Sequence, residues 1–319
     1  CRWLLRGRLS LGDLRVMVVD EYDKLLELGF EQEMKSIVAK GNRSATAILT
    51  SATEIDPLPP YLKLDHPEII KAENQSPRKS HLQKILVESP VPDKLDTLVD
   101  LLRSLPDGKA IIFVNYRDSA ERVQTALRKA GIHAGLYHGA LEQQERELAV
   151  AMLNNGSTPI VVSTDLASRG LDIDAVDYVI HYHMPATAET WTHRNGRTAR
   201  QGADGSVYVI TSENDTVPDY VETDRPYVPT GNSSDPIRPH TFTLYFNLGK
   251  KEKISRGDIA GFIAKAGGIA GNAIGAINVS DHSSIAAVDT GEASAQALAK
   301  TLSEQRLKGK KVRVSVVSR

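Results

Sequence analysis

The chain has 319 residues, a length that suggests two or three domains at roughly 100–200 residues each. Its 41% hydrophobic content suits ordinary soluble cores, no apolar run approaches the ~18–20 residues needed to cross a bilayer, and Arg2, Arg6 and Arg8 break up the N-terminal stretch so that it does not read as a signal peptide. A single cysteine, Cys1, excludes an intrachain disulfide framework and a cysteine-rich metal site, and the net charge of −1 divides into +6 over residues 240–319 and −7 over the rest.

The first elements form a strand–helix–strand unit. Leu14 to Val19 is a compact apolar run ending at Asp20 and reads as a buried parallel strand. Asp23 to Lys40 has helical spacing of its apolar residues, with Gly41 at the expected C-terminus. Thr46 to Thr50, followed by Ser51, is the second strand. The polar stretch from Glu73 to Ser80, with Pro77, reads as a domain boundary.

Beyond it, short apolar strands alternate with helices. The strands are Ala110–Asn115, His133–Tyr137, Pro159–Ser163, Tyr178–Tyr182 and Ser206–Thr211; the helices are Asp118–Ala130, Leu141–Leu153 and Ala188–Arg200. That alternation predicts a parallel sheet covered on both faces, whose ligands bind at the C-terminal ends of its strands. Glu213 to Pro239 carries five prolines among acidic and small polar residues and reads as a linker. The last block, from Thr241 to Val317, reads βαββαβ, the ferredoxin-like order that RNA-recognition modules use. Its basic balance suits a polyanion.

Four segments could carry chemistry. Asp20-Glu21-Tyr22-Asp23 follows a strand directly; one carboxylate there can hold Mg²⁺ through water and the other can orient an attacking water. Ser51-Ala52-Thr53 follows the next strand. Thr164 to Asp172 follows a third, and His193 to Gly202 comes soon after. Arg197 and Arg200 lie three apart, so on a helix they share a face, and two guanidiniums on one face suit polyphosphate. Taken singly, these segments also fit a solvated acidic turn, a helix cap and a salt-bridged surface helix.

In their order and spacing the four resemble motifs II, III, V and VI of the DEAD-box RNA helicases. Phe113–Tyr116 resembles motif IV, and Gln143–Arg146 the QxxR element after it. The resemblance implies an α/β fold: part of a first RecA-like domain over 1–72, a complete second RecA-like domain over 73–215, a linker over 216–239 and an RRM-like domain over 240–319. It implies that Asp20 and Glu21 serve Mg²⁺ and the hydrolytic water, and that Asp23 couples to Ser51 or Thr53. Asp172 would contact the ATP ribose, Arg197 and Arg200 the γ-phosphate, and Arg146, Thr164 and Gly170 the RNA.

The C-terminal block is similar to the RNA-binding domain of the DbpA-type members, which act on a hairpin of 23S-type large-subunit rRNA during ribosome assembly. Lys250, Lys251, Lys253, Arg256, Lys308, Lys310, Lys311 and Arg313 would then bind RNA. Ser284–Val288 lacks the aromatic residue of an ordinary RRM, so base stacking is not expected to dominate. The expected cofactors are ATP and Mg²⁺, the setting is cytoplasmic with no membrane, and the chain is expected to be a monomer.

Some positions depart from the family pattern. Tyr22 replaces alanine, Asn195 and Ala199 differ within motif VI, and His183 stands where an acidic residue is common. No Gly-x-x-x-x-Gly-Lys-Ser/Thr occurs, so the backbone cradle for phosphates is missing. The expectation is a truncated helicase that is inactive alone, the alternative a non-catalytic module that binds structured RNA.

Overall fold

A computed structural model describes residues 10–27, 29–42, 44–51, 57–62, 64, 67–70, 81–165, 173–199 and 203–317. The chain divides into two compact units, Cys1–Gln75 and Ser76–Arg319.

In the first unit, strand β1 (Val16–Val19) pairs in parallel with β2 (Thr46–Leu49), Val16 opposite Thr46 and Val19 opposite Leu49. The single helix expected between them is two, α1 (Tyr22–Glu27) and α2 (Glu31–Lys40). Gly29, at φ +73°, takes the left-handed backbone that ends the first, a conformation costly for residues with a Cβ. Met17, Val19 and Leu49 pack on Met34, Leu25 and Leu62. The opposite face is bare: Val18 is 62% exposed and Ile48 47%. The reading of Leu14–Val19 as a fully buried strand is therefore corrected, because alternation sends every second side chain to a face that the helices do not cover.

The second unit contains a seven-stranded parallel sheet. Its strands are β3 (Leu82–Glu88), β4 (Ala110–Phe113), β5 (Gly135–Tyr137), β6 (Ile160–Ser163), β7 (Tyr178–His181), β8 (Gly205–Thr211) and β9 (Arg225–Tyr227), in spatial order β5-β6-β4-β7-β8-β3-β9. Helices α3 (Leu95–Ser104) and α4 (Arg117–Lys129) cover one face, where Leu98, Leu101, Val123 and Leu127 pack with Ile112. Helices α5 (Gln143–Asn154) and α6 (Ala188–Asn195) cover the other, where Leu153 and Trp191 pack with Ile111 and Phe113. Neighbouring residues of one buried strand thus feed two separate cores.

Two expectations fail here for physical reasons. Residues 216–239 are not a free linker. Arg225–Tyr227 add a parallel edge strand to β3, Val221 is buried, and the Tyr220 hydroxyl donates to the Pro185 carbonyl at 2.8 Å. Pro226 is tolerated because an edge strand needs hydrogen bonds on only one side. The helix expected to run to Arg200 ends at Asn195. There the Thr198 hydroxyl donates to the Val176 carbonyl at 2.5 Å and the Val176 N–H to the Arg197 carbonyl at 3.0 Å, tying the chain to the sheet. Arg197 therefore lies beyond the helix, and its placement on one helical face with Arg200 does not hold; Arg200 itself lies outside the described residues.

The C-terminal block of the second unit is a four-stranded antiparallel sheet of β10 (Phe242–Phe246), β11 (Ile274–Val279), β12 (Ser284–Val288) and β15 (Val314–Val316), ordered β11-β12-β10-β15. Helices α7 (Arg256–Gly267) and α8 (Glu292–Ser303) cover one face, burying Leu244, Phe246, Ile259, Ile263 and Leu302. This is the expected βαββαβ order. A small hairpin, β13 (Arg306–Leu307) and β14 (Lys310–Lys311), precedes the last strand.

The open face of this sheet turns toward the parallel-sheet domain. Thr243, 1% exposed, shares a 2.7 Å hydrogen bond with the Ser157 hydroxyl and accepts one from the Asn155 amide at 3.0 Å. The Thr241 hydroxyl donates to the Asn155 carbonyl at 2.8 Å, and His240 pairs with Asp107.

Candidate functional site

In the first unit the acidic turn sits where β1 and β2 end side by side. The Tyr22 N–H donates to the Thr50 carbonyl at 2.9 Å and the Thr50 N–H to the Val19 carbonyl at 3.0 Å. The Thr50 hydroxyl donates to the Asp20 carboxylate, which also accepts the Glu21 N–H at 3.1 Å. Glu21 has φ +50°, so backbone strain is stored at the carboxylate pair. Both carboxylates are exposed, whereas Asp23 is buried. Sequence reading missed Thr50 and chose Ser51 and Thr53; Ser51 is exposed, and Thr53 lies outside the described residues. Tyr22 is fully buried, and its hydroxyl shares a 2.5 Å hydrogen bond with Tyr61. Burial, then that bond, pushes its pKa up. Where the family has alanine, Tyr22 is thus a core side chain.

The second unit gathers its motif residues around Arg194, which is fully buried. Its Nε donates to Asp165 at 2.6 Å, its Nη1 to the His183 carbonyl at 2.9 Å and its Nη2 to the Asn115 side chain at 2.8 Å. The Phe113 ring lies 5.1 Å from the guanidinium carbon. One side chain thereby ties motifs IV, V and VI together, with its donors arranged for this fork of acceptors. Beside it the His181 Nε2 and the Asn195 side-chain oxygen are 2.9 Å apart. Burial, then the Arg194 charge, lowers the His181 pKa to about 3 against the Asn195 hydrogen bond, so the ring is neutral. Burial, then Lys94 and Arg194, lowers His183 to about 4, and its Nδ1 accepts the Asn115 N–H at 3.2 Å. The neutral imidazole supplies an acceptor at the position where the resemblance led us to expect an acidic residue. Sequence reading named Arg197 and Arg200 and passed over Arg194, whose partners come from three separate segments.

Arg197 is buried just past α6. Thr164 follows β6, its N–H bonded to the Tyr137 carbonyl at 3.2 Å. Arg146 lies on the first turns of α5, beside Tyr137. Burial raises the Tyr137 pKa and Arg146 opposes the rise. Gly170 and Asp172 lie outside the described residues.

On the C-terminal domain the basic residues gather on two adjoining segments, the loop before α7 and the β13–β14 hairpin. The Lys308 ammonium is 2.7 Å from Asp258 and donates to the Lys253 carbonyl at 3.1 Å, while Lys310 donates to the Glu252 carbonyl at 3.0 Å. Lys308, with the Ser255 side chain and backbone, lowers the Asp258 pKa to about 2. Lys308 and Lys310 thus brace the loop, and Lys250, Lys253, Arg256, Lys311 and Arg313 stand exposed around it. Lys251 is 3.0 Å from the His282 ring.

A doubly covered parallel sheet with a buried arginine hub, joined to an antiparallel basic domain, defines a helicase C-terminal domain carrying an RNA-binding module. The sequence matches agree: residues 93–202 match the helicase conserved C-terminal domain, and residues 243–316 the DbpA RNA binding domain. The chain is 26% identical to the ATP-dependent RNA helicase DbpA of Bacillus subtilis, over 97% of its own length and 71% of that protein's. It is 31% identical to the DEAD-box helicase CshB of the same organism, over 64% of this chain and 48% of that one. Against the probable ATP-dependent RNA helicase ddx17 of Dictyostelium discoideum the identity is 32%, over 65% and 27%. The chain thus spans about half the length of CshB and about a quarter of ddx17. Among solved structures, Saccharomyces cerevisiae Dbp5 bound to RNA and ADP BeF3 superposes with a TM-score of 0.60 at 25% identity, covering 70% of this chain and 63% of that one. The chain thus carries a helicase conserved C-terminal domain followed by a DbpA RNA binding domain, and along nearly its whole length it is similar to a DEAD-box ATP-dependent RNA helicase of the DbpA type.

Proposed function

We propose that this chain provides the helicase C-terminal and RNA-binding parts of a cytoplasmic, monomeric ATP-dependent helicase. It remodels structured RNA, namely large-subunit rRNA during ribosome assembly. The observation that carries this reading is the docking of a basic βαββαβ domain onto a helicase C-terminal sheet within one compact unit.

In this reading the exposed basic loop and hairpin hold an rRNA hairpin, positioning it by phosphate contacts. Thr164 and Arg146, with Gly170, take the phosphates of an adjacent strand. Arg197 and Arg200 face the γ-phosphate, and Asp172 the ribose. Arg194 holds Asn115, Asp165 and the His183 carbonyl just after β7 in one arrangement, so displacement at any of them is felt at the others. Asp20 and Glu21 offer exposed oxygen donors, the set Mg²⁺ prefers, with Asp20 the ligand, through water. Bound there, Mg²⁺ supplies charge neutralisation at the phosphates. The Thr50 hydroxyl orients the Asp20 carboxylate, Glu21 orients the attacking water, and Asp23 with Ser51 and Thr53 couples that turn to the rest of its unit.

A second reading is favoured by the absence of a Gly-x-x-x-x-Gly-Lys-Ser/Thr segment from this sequence. On its own, the polypeptide binds structured RNA and does not hydrolyse ATP. RNA-stimulated phosphate release by this polypeptide separates the two, since measurable turnover would remove the second. The test of the common core is salt-dependent binding to a large-subunit rRNA hairpin and to a scrambled hairpin. Preference for the rRNA hairpin that persists at higher salt supports the targeting role. Equal binding that fades steeply with salt would leave only a basic patch.

A further inference from the structure

The docking of the two domains leaves a cleft of about 410 Å³ between helix α5 and the open face and edge of the antiparallel sheet. That volume falls in the range of sites for small ligands. One wall carries Tyr137, Gln143 and Arg146; the other carries Arg256 and Asn278. On the C-terminal domain, Asn278 pairs with Ile285 on the face opposite the helices, the face on which an ordinary RRM reads RNA. Here Thr243, on the same face, is already buried against Ser157 and Asn155. Part of the face is therefore closed, and the cleft is one way onto the remainder.

The charge and hydrogen-bonding capacity of the cleft point to its occupant. Two guanidiniums face it against one carboxylate, Glu147, which is held by the Gln143 amide at 2.8 Å. The Arg146 Nε–H is buried and finds no acceptor among the described residues. A buried donor without a partner carries a free-energy cost that an incoming acceptor relieves. Arginines opposed across a gap, with amides between them, fit the oxygens of a phosphodiester and the edge of a base. A carboxylate-rich peptide would meet the same arginines but would be repelled by Glu147 more strongly than a single phosphodiester.

We infer that this interdomain cleft binds a stretch of single-stranded RNA backbone leading from the strand held by the helicase domain to the hairpin held by the C-terminal domain, with Arg146 and Arg256 gripping one run of phosphates from opposite sides. This rests on the RNA-binding reading above. It adds that the two domains read one continuous RNA and that the docked arrangement is the binding form.

A double-mutant cycle on the whole chain tests it. Binding of the parent, Arg146→Ala, Arg256→Ala and the double variant is measured on two RNAs. One is the bare rRNA hairpin, the other the same hairpin with a short single-stranded extension. On the extended RNA each alanine lowers affinity about tenfold, as expected for loss of a charge-assisted hydrogen bond. The double variant loses less than the product of the two, by about threefold or more, because the second arginine can no longer hold a strand that the first has released. On the bare hairpin the two effects simply multiply. Multiplying effects on both RNAs would overturn the cleft while leaving RNA binding intact; failure of the parent to bind either RNA would overturn the RNA-binding reading and the cleft with it. Arg146→Lys and Arg256→Lys, which keep charge and stem, repeat the cycle should either alanine variant fold poorly, with a smaller coupling expected on the extended RNA alone. Its absence there would also overturn the cleft.

Discussion

Two parallel-strand regions of this molecule began as the same kind of sequence signal and ended differently. Val16–Val19 and Ala110–Phe113 are both short apolar runs read as buried strands. Every residue of the second is fully buried, with Ile112 feeding one core and Ile111 and Phe113 another. In the first, Val18 lies 62% exposed. The difference is not in the strands. A strand in the middle of seven, with helices on both faces, has no outside, whereas a strand paired with only one other and covered on one side keeps an outside whatever its sequence. An apolar run states what could be buried, and the layers around it decide what is.

The comparison can be broken most directly by truncating side chains. Ile112→Ala should cost about 2–5 kcal/mol, since the fully buried methylenes leave a cavity that a seven-stranded sheet cannot close. Chemical denaturation of the second unit's transition reads this out, and a loss near that of a surface substitution would mean that the sheet is loosely packed. Of similar size is Arg194→Ala, which strands Asp165, Asn115 and the His183 carbonyl and should cost about 3–5 kcal/mol. Arg194→Lys should recover only a minor part, because an ammonium cannot reach three separated acceptors in one plane.

A pH series sharpens the contrast. The folded-state pKa of His181 is lowered to about 3, from an ordinary value of 6.5. Between those values the unfolded chain binds a proton that the folded chain refuses, so stability should fall as pH drops from about 6.5 toward 3. His181→Asn should flatten that slope in the second unit's urea midpoint; an unchanged slope would show that the ring is not held neutral. Thr243→Val, which removes a buried hydroxyl shared with Ser157 and Asn155, should cost about 1–3 kcal/mol. The smallest effect is expected at the other end of the comparison. Val18→Thr should change stability by no more than about 0.5 kcal/mol, as for most surface positions. A large loss there would mean that the exposed face of β1 is covered in solution.

Much of this was legible in the sequence, and for a common reason. Strands and helices follow from local period, and the motif residues follow strands because the ends of parallel strands are where a chain can present side chains to a ligand. Thr164 after β6, the acidic turn after β1 and the βαββαβ order all came from neighbours in the chain. Leu82–Glu88 was passed over because it follows a polar stretch that looked like a boundary, and Arg225–Tyr227 because its prolines looked like a linker. Gly29 splits a helix whose apolar spacing ran straight through it. The site residues missed were those defined by pairing: Thr50, whose partner Asp20 lies across a strand pair, and Arg194, whose acceptors come from three segments.

The sequence by itself determined the resemblance to a helicase family, the order of most elements and the residue types at each strand end, since these depend on local pattern and composition. Only the tertiary structure decided that Arg194 is the hub of the motifs, that His181 and His183 are neutral, and that Thr243 docks the RNA-binding domain with its open face toward helix α5. Each of those depends on burial and on hydrogen-bond partners supplied by other elements of the fold, and no local pattern carries that information.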